Sequence, residues 1–347
     1  MAFLSLMDVA RRMDPEGEID TISELLSQTN EFFQDMTWTE SNLDTGHKST
    51  VRTGLPQGTW RVAYAGVPYA RSTTAQVVDS LGYLAAYSQI DKRVAELGGK
   101  VAQIRMTEDS AFLEGMSQQM ATTFFYGNSG TALSQFTGFS PRYNTVSTAT
   151  AQNAQNVLNA GGTASSNASL WLVGWGDKTN FGIFPKGSKA GLVFEDRGDI
   201  VPGYDASNNP FPAYTSYFEW NAGLVTRDWR FNVRIANIDT TTATLGLFGT
   251  TPPDLFLLMS KAVVRFPTLT KRASGITETD APDEPAPGIN PAFYCNRVVR
   301  ESLDIQAIRD KNVLLRPTEY AGQPVVEFRG IRIAVCDTLL SQESTLT

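Results

Sequence analysis

Chemistry on a protein needs nucleophiles, acid/base pairs or metal ligands at workable spacings, and this chain offers few. Histidine occurs once, as His47 beside Lys48 in a polar stretch. One imidazole could serve a hydrolase triad, but it cannot build a multi-histidine metal centre, and its surroundings read as a solvated loop. Cys295 and Cys336 lie far apart without a CxxC pair, so neither a zinc cluster nor a disulfide-dense scaffold is available, and both read as buried apolar thiols. Pro185-Lys186-Gly187-Ser188-Lys189 superficially suggests a phosphate-binding loop, yet the glycine-to-lysine spacing of such a loop is missing, which leaves a surface turn. Asp196 with Asp199, and Asp280 with Asp283 and Glu284, could in principle pair as acid and base or bind calcium. Neither cluster has the interleaving of a cation loop, and both read as solvated turns. Arg197-Gly198-Asp199 matches an adhesion tripeptide that recurs by chance, and Asn167-Ala168-Ser169 is a glycosylation acceptor of consequence only in a secretory compartment. With no nucleophile elbow and no glycine-rich nucleotide fingerprint, the expectation is a non-enzyme without catalytic residues, cofactor or metal.

The 347 residues exceed one average domain, since roughly 150 residues per domain gives about two. Hydrophobic residues at 41% supply a sizeable core and exclude disorder for the bulk of the chain. A net charge of −7 is the wrong sign for a chain whose main task is gripping phosphate backbones. The basic residues are twenty arginines and nine lysines, a bias that fits either interface use or drift of composition. The amino terminus lacks the basic and long apolar regions of a secretory signal, and no stretch of some 18 unbroken apolar residues occurs, so an intracellular soluble chain is expected.

The elements that would position any site follow from pattern. Ile19, Ile22, Leu25, Leu26, Phe32, Phe33 and Met36 recur at helical spacing after Glu16, Glu18 and Asp20, giving an amphipathic amino-terminal helix. From Ser41 to Arg71 glycines and prolines flank short alternating runs such as Trp60 to Tyr64, which reads as a long hairpin with few core residues. Two strands cannot bury both faces, so this ribbon, with Arg52, Trp60, Arg61, Tyr64 and Arg71, should be covered by something outside the monomer. Val77, Leu81, Leu84, Ile90, Val94 and Leu97 suggest a helix over Thr74–Leu97, stopped by Gly98-Gly99. A second helix is expected over Glu108–Tyr126, capped by Thr107, with Leu113, Met116, Met120 and Phe124 on one packing face and Gly127 as its stop. Tyr143 to Gly176 carries no charge and marks passage into a second domain. That domain is expected to hold a strand at Leu170–Val173, a period-two strand facing Trp229, Phe231, Val233 and Ile235 one way, and a helix Asp254–Val264 after Pro252-Pro253. Residues 278–288 read as a solvated acidic, proline-rich loop. A short helix Ser302–Arg309 and strands Val325–Arg329 and Ile331–Val335, punctuated by Gly330, complete the chain.

This order, a helix, a long ribbon, a long helix ending in Gly127-Asn128, an inserted β-rich region and a return to strands, resembles the major capsid proteins of tailed bacteriophages, the Hong Kong 97 type fold. The resemblance is carried by SAFLEGMSQQMATTFFYGNSGTALSQFTGF at 110–139, LWLVGWG at 170–176, IFPKGSKAGL at 183–192 and Gly330-Ile331-Arg332-Ile333 before Asp337. It covers nearly the whole chain, and the order of the motifs is more specific than any one of them.

The resemblance implies an α+β fold with an amino-terminal arm at 1–40, an extended β-hairpin loop at 41–73, a peripheral domain at 74–145 with a spine helix at about 108–126, an axial domain at 146–300, and returning peripheral strands at 301–347. It implies a structural subunit that self-assembles as hexamers and pentamers into the icosahedral shell around the double-stranded DNA of a tailed phage, found in the virion and assembled in the bacterial host cytoplasm. Partners implied are copies of itself, scaffolding, portal and decoration proteins, and packaged DNA held without sequence specificity; no membrane is implied. The extended loop would lie across a neighbouring subunit's peripheral domain, which makes Arg52, Trp60, Arg61, Tyr64 and Arg71 the candidate intersubunit contacts. Lys48 is the only lysine of that loop, and no acceptor for a covalent crosslink can be named. The competing readings are an encapsulin-like nanocompartment, which shares the fold, and a β-rich hydrolase.

Overall fold

The computed structural model describes residues 27–96, 101–163, 165–199, 202–205, 207–241, 246–249, 251–267, 289–309, 315–320 and 323–347. In chain order the helices are α1 (Phe32–Asp35), α2 (Lys92–Ala95), α3 (Val101–Tyr126), α4 (Phe139–Arg142), α5 (Leu255–Arg265) and α6 (Arg297–Arg309). The strands are β1 (Trp38–Glu40), β2 (Gly46–Gly54), β3 (Thr73–Ser80), β4 (Gly82–Asp91), β5 (Val157–Asn159), β6 (Asn167–Trp175), β7 (Asn180–Phe184), β8 (Leu192–Gly198), β9 (Gly203–Tyr204), β10 (Pro210–Phe211), β11 (Ala213–Thr226), β12 (Asn232–Asp239), β13 (Asn290–Cys295), β14 (Leu315–Tyr320), β15 (Gln323–Phe328) and β16 (Ile331–Val335).

A 12-stranded mixed sheet runs β14-β15-β16-β13-β6-β7-β11-β4, with β12 on β6, β5 on β12, β1 on β7 and β8 on β11. Its centre is β6, whose nine residues are all buried. The strand's own alternation explains this. Trp171, Val173 and Trp175 pack with Met120, Phe124, Phe125 and Phe139 on one face, while Ala168, Leu170 and Leu172 pack with Leu255, Met259, Val299 and Leu303 on the other. Helices therefore cover both faces of the sheet, α3 and α4 on one side and α5 and α6 on the other. The expected strand at 170–173 is part of β6. The expected helix after Pro252-Pro253 is α5, where the Asp254 carboxylate accepts from the Leu257 N–H at 2.9 Å as N-cap. The two closing strands turn at Arg329-Gly330, both with positive φ, of 52° and 76°.

Several expectations are corrected. Thr74–Leu97 is not a helix; β3 and β4 occupy 73–91, with α2 at 92–95, while Leu97 to Lys100 lie outside the described residues. The segment also satisfies a two-residue period, because Leu84, Ala86, Ser88 and Ile90 face inward in turn, and small Ala86 and Ser88 hide that alternation. Pairing in register with β11 from Tyr83↔Asn221 to Asp91↔Ala213 supplies the ladder that decides for strand. The long helix starts at Val101, so Thr107 is no N-cap; its Oγ1 donates to the Gln103 carbonyl within the helix. Trp229 to Phe231 form a 3-10 turn before β12, so the period-two face begins at Val233. Helix α6 begins at Arg297, ahead of the expected Ser302. The expected amino-terminal helix lies outside the described residues except for α1, as does the acidic loop 278–288 with Asp280, Asp283 and Glu284.

Helix α3 is unlike its two ends. Its carboxyl half drives Met116, Met120, Ala121, Phe124 and Phe125 into the core, whereas among its first residues only Ile104 is buried and Met106 stands 74% exposed. Twenty-six residues span about 39 Å, so the amino half projects beyond the main core and rests on β4 and β11.

Candidate assembly surface

Strands β2 and β3 pair only with each other, and they leave the body as a two-stranded antiparallel ribbon that runs from Gly46↔Ser80 to Gly54↔Thr73. Val51, Val77, Val78 and the threonines favour extended backbone, and the polar alternates tolerate solvent on both sides. Burial falls steadily along it: Gly46, His47, Ser49 and Asp79 at the root are buried, and every residue from Leu55 to Val78 is exposed. The return strand extends to Ser80, past the loop limit of 73, and the tip 55–72 is irregular, so Trp60 to Tyr64 form no strand.

The root is held by short-range closure. Asn42 and Lys48 exchange two hydrogen bonds of 2.7 Å, and Leu81 N–H donates to the Thr45 carbonyl at 3.1 Å. Glycine is required at Gly46, since a Cβ there would sit 2.3 Å from the Asp79 carbonyl oxygen. Asp79 accepts from Arg142 at 2.7 Å, and Arg142 also donates to the carbonyls of Thr137 and Leu224, which ties the ribbon to α4 and β11. His47 is no solvated loop residue. It is 4% exposed in β2, packed edge-on against Phe181 and within 3.1 Å of Arg227.

The five sequence-derived contact residues all fall on this ribbon and are exposed. Arg52 lies opposite Thr74 near the end of the ladder, Trp60, Arg61 and Tyr64 belong to the tip, and Arg71 precedes β3. The tip makes one tight feature, in which Ala65 N–H donates to the Val62 carbonyl at 3.1 Å, Arg61 donates to the Ala65 carbonyl at 3.2 Å, and Tyr64 adopts φ 66°. Trp60, Tyr64 and Tyr69 are fully exposed, with Leu55, Val62 and Val67 more than half exposed. Three such aromatics alone present roughly 450–750 Å² of surface, more than the few hundred Å² of contiguous apolar patch a monomer usually tolerates. Residues 49–78 hold three arginines and no carboxylate, although the whole chain carries −7.

A second feature was not legible in sequence. Between the projecting half of α3 and strands β8 and β11 lies an open groove of about 490 Å³, with Met106, Leu113, Phe194 and Phe218 on its walls and Arg105, Asp109 and Asp196 at its rim. Phe218 stacks on Phe112 at a centroid distance of 6.2 Å and meets Phe194 at a tilt at 5.3 Å. Arg105 bonds Asp196, which with the Gly198 N–H holds that carboxyl below the ordinary carboxylate range. Asp196 is thus part of a strand and an ion pair, where a solvated turn was expected, and Asp199 pairs with Lys92 at 3.2 Å. The groove could have been anticipated only by knowing that β8 folds against a helix 80 residues earlier in the chain.

The thiols of Cys295 and Cys336 are free and buried, and burial pushes Cys295 up to about 12, which leaves it unreactive near neutrality. Among the described residues no group of three or more histidine, cysteine or carboxylate side chains is placed to hold a metal, and no helix is long and apolar enough to cross a membrane.

A family model described as "Major capsid protein GP7" matches residues 14–347. Among solved structures, the near-atomic structure of bacteriophage Epsilon15 contains a chain that superposes with a TM-score of 0.73 at 29% identity, covering 100% of this chain and 98% of that one. The bacteriophage JBD30 capsid gives 0.47 at 9% identity over 91% and 93% of the two chains. The holo-SrpI encapsulin complex from Synechococcus elongatus PCC 7942 gives 0.40 at 10% identity over 63% and 91%. Comparison with curated protein sequences gives no match.

Proposed function

This chain belongs to the major capsid protein GP7 family, and from that premise we propose how it builds a shell: its hexamers and pentamers close an icosahedral container around the double-stranded DNA of a tailed phage. It is a structural capsid protein and a virion component, with the α+β architecture of the Hong Kong 97 type. Its role is non-enzymatic, and assembly takes place in the host cytoplasm with scaffolding, portal and decoration proteins as partners. Its working divisions are an arm at 1–40, a loop that begins at 41 and whose return strand β3 ends at Ser80, peripheral segments to 145 and over 301–347, and an axial segment at 146–300.

The observation that carries this reading is the uncovered ribbon. Among the described residues its aromatic tip leaves Trp60, Tyr64 and Tyr69 fully exposed, and another copy is what would bury them. The groove beside α3 offers Met106, Leu113 and Phe194 as apolar walls for the aromatics, with Asp109 at its rim beside the Arg105–Asp196 pair. A standard interface buries about 800 Å² per partner, which the tip and the outer ribbon together can supply. The net −7 per subunit keeps the packaged genome from adhering to the wall, so DNA affinity is weak and salt-sensitive.

Electron microscopy of the purified protein tests the reading. Closed shells tens of nanometres across are expected from the full chain, and a folded but assembly-deficient subunit from deletion of residues 50–66. Normal shells from that deletion would refute the ribbon's role, a persistent monomer from the full chain would refute the shell, and a protein cargo in place of nucleic acid would identify a nanocompartment.

A further inference from the structure

The chain's single histidine sits where the ribbon leaves the body, in chemistry that the shell reading does not use. His47 Nε2 lies 3.1 Å from a guanidinium nitrogen of Arg227. A guanidinium can only donate, so Nε2 must be the lone-pair acceptor, and the ring proton resides on Nδ1. That Nδ1 is buried and without a hydrogen-bond partner among the described residues. The imidazole is therefore held neutral, with a hydrogen bond that exists only while Nε2 is unprotonated. Both groups rest on one ring: the imidazole stands edge-on to Phe181 at 5.3 Å, and the Arg227 guanidinium lies 4.9 Å from the same centroid. A proton added at Nε2 removes the acceptor and sets two cations at hydrogen-bond distance in a part-buried site.

The other charged groups around the site come from each neighbouring element. On β3, Asp79 is the cross-strand partner of His47 and the group that would welcome a proton there; its Oδ1 is engaged by Arg142 from α4, while its buried Oδ2 has no hydrogen-bond partner among the described residues. On β2 itself, Lys48 points to solvent. From the segment after β11, Arg227 is fixed by a 2.8 Å bond to the Asp177 carbonyl and cannot retreat freely. Burial first and Arg227 second outweigh Asp79 and hold the imidazole below its ordinary titration range.

We propose that His47 and Arg227 form a proton-operated clasp on the ribbon's root, closed while His47 is neutral and opened by protonation of Nε2, which releases β2 and β3 from the Phe181 face. The consequence for a shell, contacts that loosen on acidification, rests on the intersubunit reading of the ribbon; the clasp itself is a property of the single chain. The sign follows from linkage. The folded-state value is depressed, so the clasp's contribution is intact above the unfolded value of about 6.5 and is lost as pH falls from there toward the lower folded value.

Because His47 is the only histidine, the imidazole resonance of histidine-labelled, tag-free full-length chain reports its titration without assignment. Amide exchange of residues 46–51 and 76–81, corrected for the intrinsic pH dependence, is followed over the same range. In the wild type the imidazole titrates below 6.5 and root exchange rises on acidification; a midpoint one pH unit below the unfolded value corresponds to about tenfold more opening. His47→Gln keeps an acceptor for Arg227 that cannot be protonated, and its exchange stays flat. Arg227→Met removes the opposing cation and moves the imidazole midpoint upward. An imidazole titrating at or above 6.5 in the wild type, or an acid step of equal size in His47→Gln, overturns the clasp. These readouts do not depend on shells, so failure of the 50–66 deletion test would remove the shell consequence and leave the clasp standing.

Discussion

The chain's closing segment after β16, residues 338–347, forms a strap, and it and the β2–β3 ribbon are opposite solutions to the same problem, a segment that lies outside the main ladder of the sheet. The strap is satisfied entirely by its own chain. Arg234, 2% exposed, donates to the Glu343 carboxylate at 2.9 Å and to the Tyr143 carbonyl at 2.9 Å, with its guanidinium 5.0 Å from the Trp171 ring. Glu343 accepts further from Tyr126 and Ser169, and its backbone bridges Asn167 in both directions. Thr347 then closes on Val146. The ribbon has an equally well-made root but leaves its far end, richest in aromatics, in water. A fold can finish one appendage internally and leave another exposed, and on the proposed function the exposed one is where a second copy docks.

The strongest way to break this contrast is to unmake the strap. Glu343→Ala strands Arg234 as an uncompensated buried cation, and such losses cost about 3–5 kcal/mol. Denaturant unfolding should show that loss, and exchange should rise at Asn167 and Val146. An unchanged midpoint would mean that the strap is as dispensable to the subunit as the ribbon. Next in size is Met120→Ala on the buried half of α3, expected to cost about 2–5 kcal/mol by cavity formation, while Met106→Ala on the projecting half should stay within about 0.5 kcal/mol. Equal losses from the two methionines would erase the difference between the helix's halves.

How much of this contrast is legible in the sequence depends on whether its cause is local. Strand β6 and helix α5 are visible because an apolar run and a Pro-Pro-Asp start act within a few residues. The ribbon is visible because glycines, prolines and arginines crowd a stretch with few core residues. Strands β3 and β4 are not, since Val77, Leu81, Leu84 and Ile90 fit a helix until β2 pairs with β3 and β11 supplies the ladder of β4 from more than 120 residues away. Arg234 and Glu343 are 109 residues apart, and nothing near either announces the other. His47 looks solvated because its immediate neighbours are polar, while its burial comes from Phe181 and Arg227.

A smaller effect sharpens the internal side of the comparison. Burial pushes the Asp337 carboxyl up, but Arg297 and the Thr29 N–H outweigh it and hold it below the ordinary carboxylate range. Its contribution is therefore complete above the unfolded value of about 3.9 and lost as pH falls through the folded value. Asp337→Asn should cost about 1 kcal/mol near neutrality, because Arg297 is largely solvated, and the penalty should fade in acid. Unfolding midpoints of the two proteins at pH 7 and pH 3 check both the size and its disappearance.

The smallest effect on the subunit belongs to the ribbon tip, and it is the most telling. Trp60→Ala and Tyr64→Ala remove rings that are fully exposed, so the unfolding free energy of the dissociated subunit should move by no more than about 0.5 kcal/mol. Tyr64 also holds φ 66°, which alanine tolerates about as poorly, so the backbone gives no reason for a larger change. The same substitutions should sharply lower the yield of closed shells, since anchoring aromatics at the centre of an interface often cost 2 kcal/mol or more when truncated. Sedimentation of assembly mixtures beside denaturant curves of the same samples separates the two quantities. Subunits that lose stability in step with assembly would show that the tip folds back on its own body, and the distinction between a finished strap and an unfinished ribbon would fall.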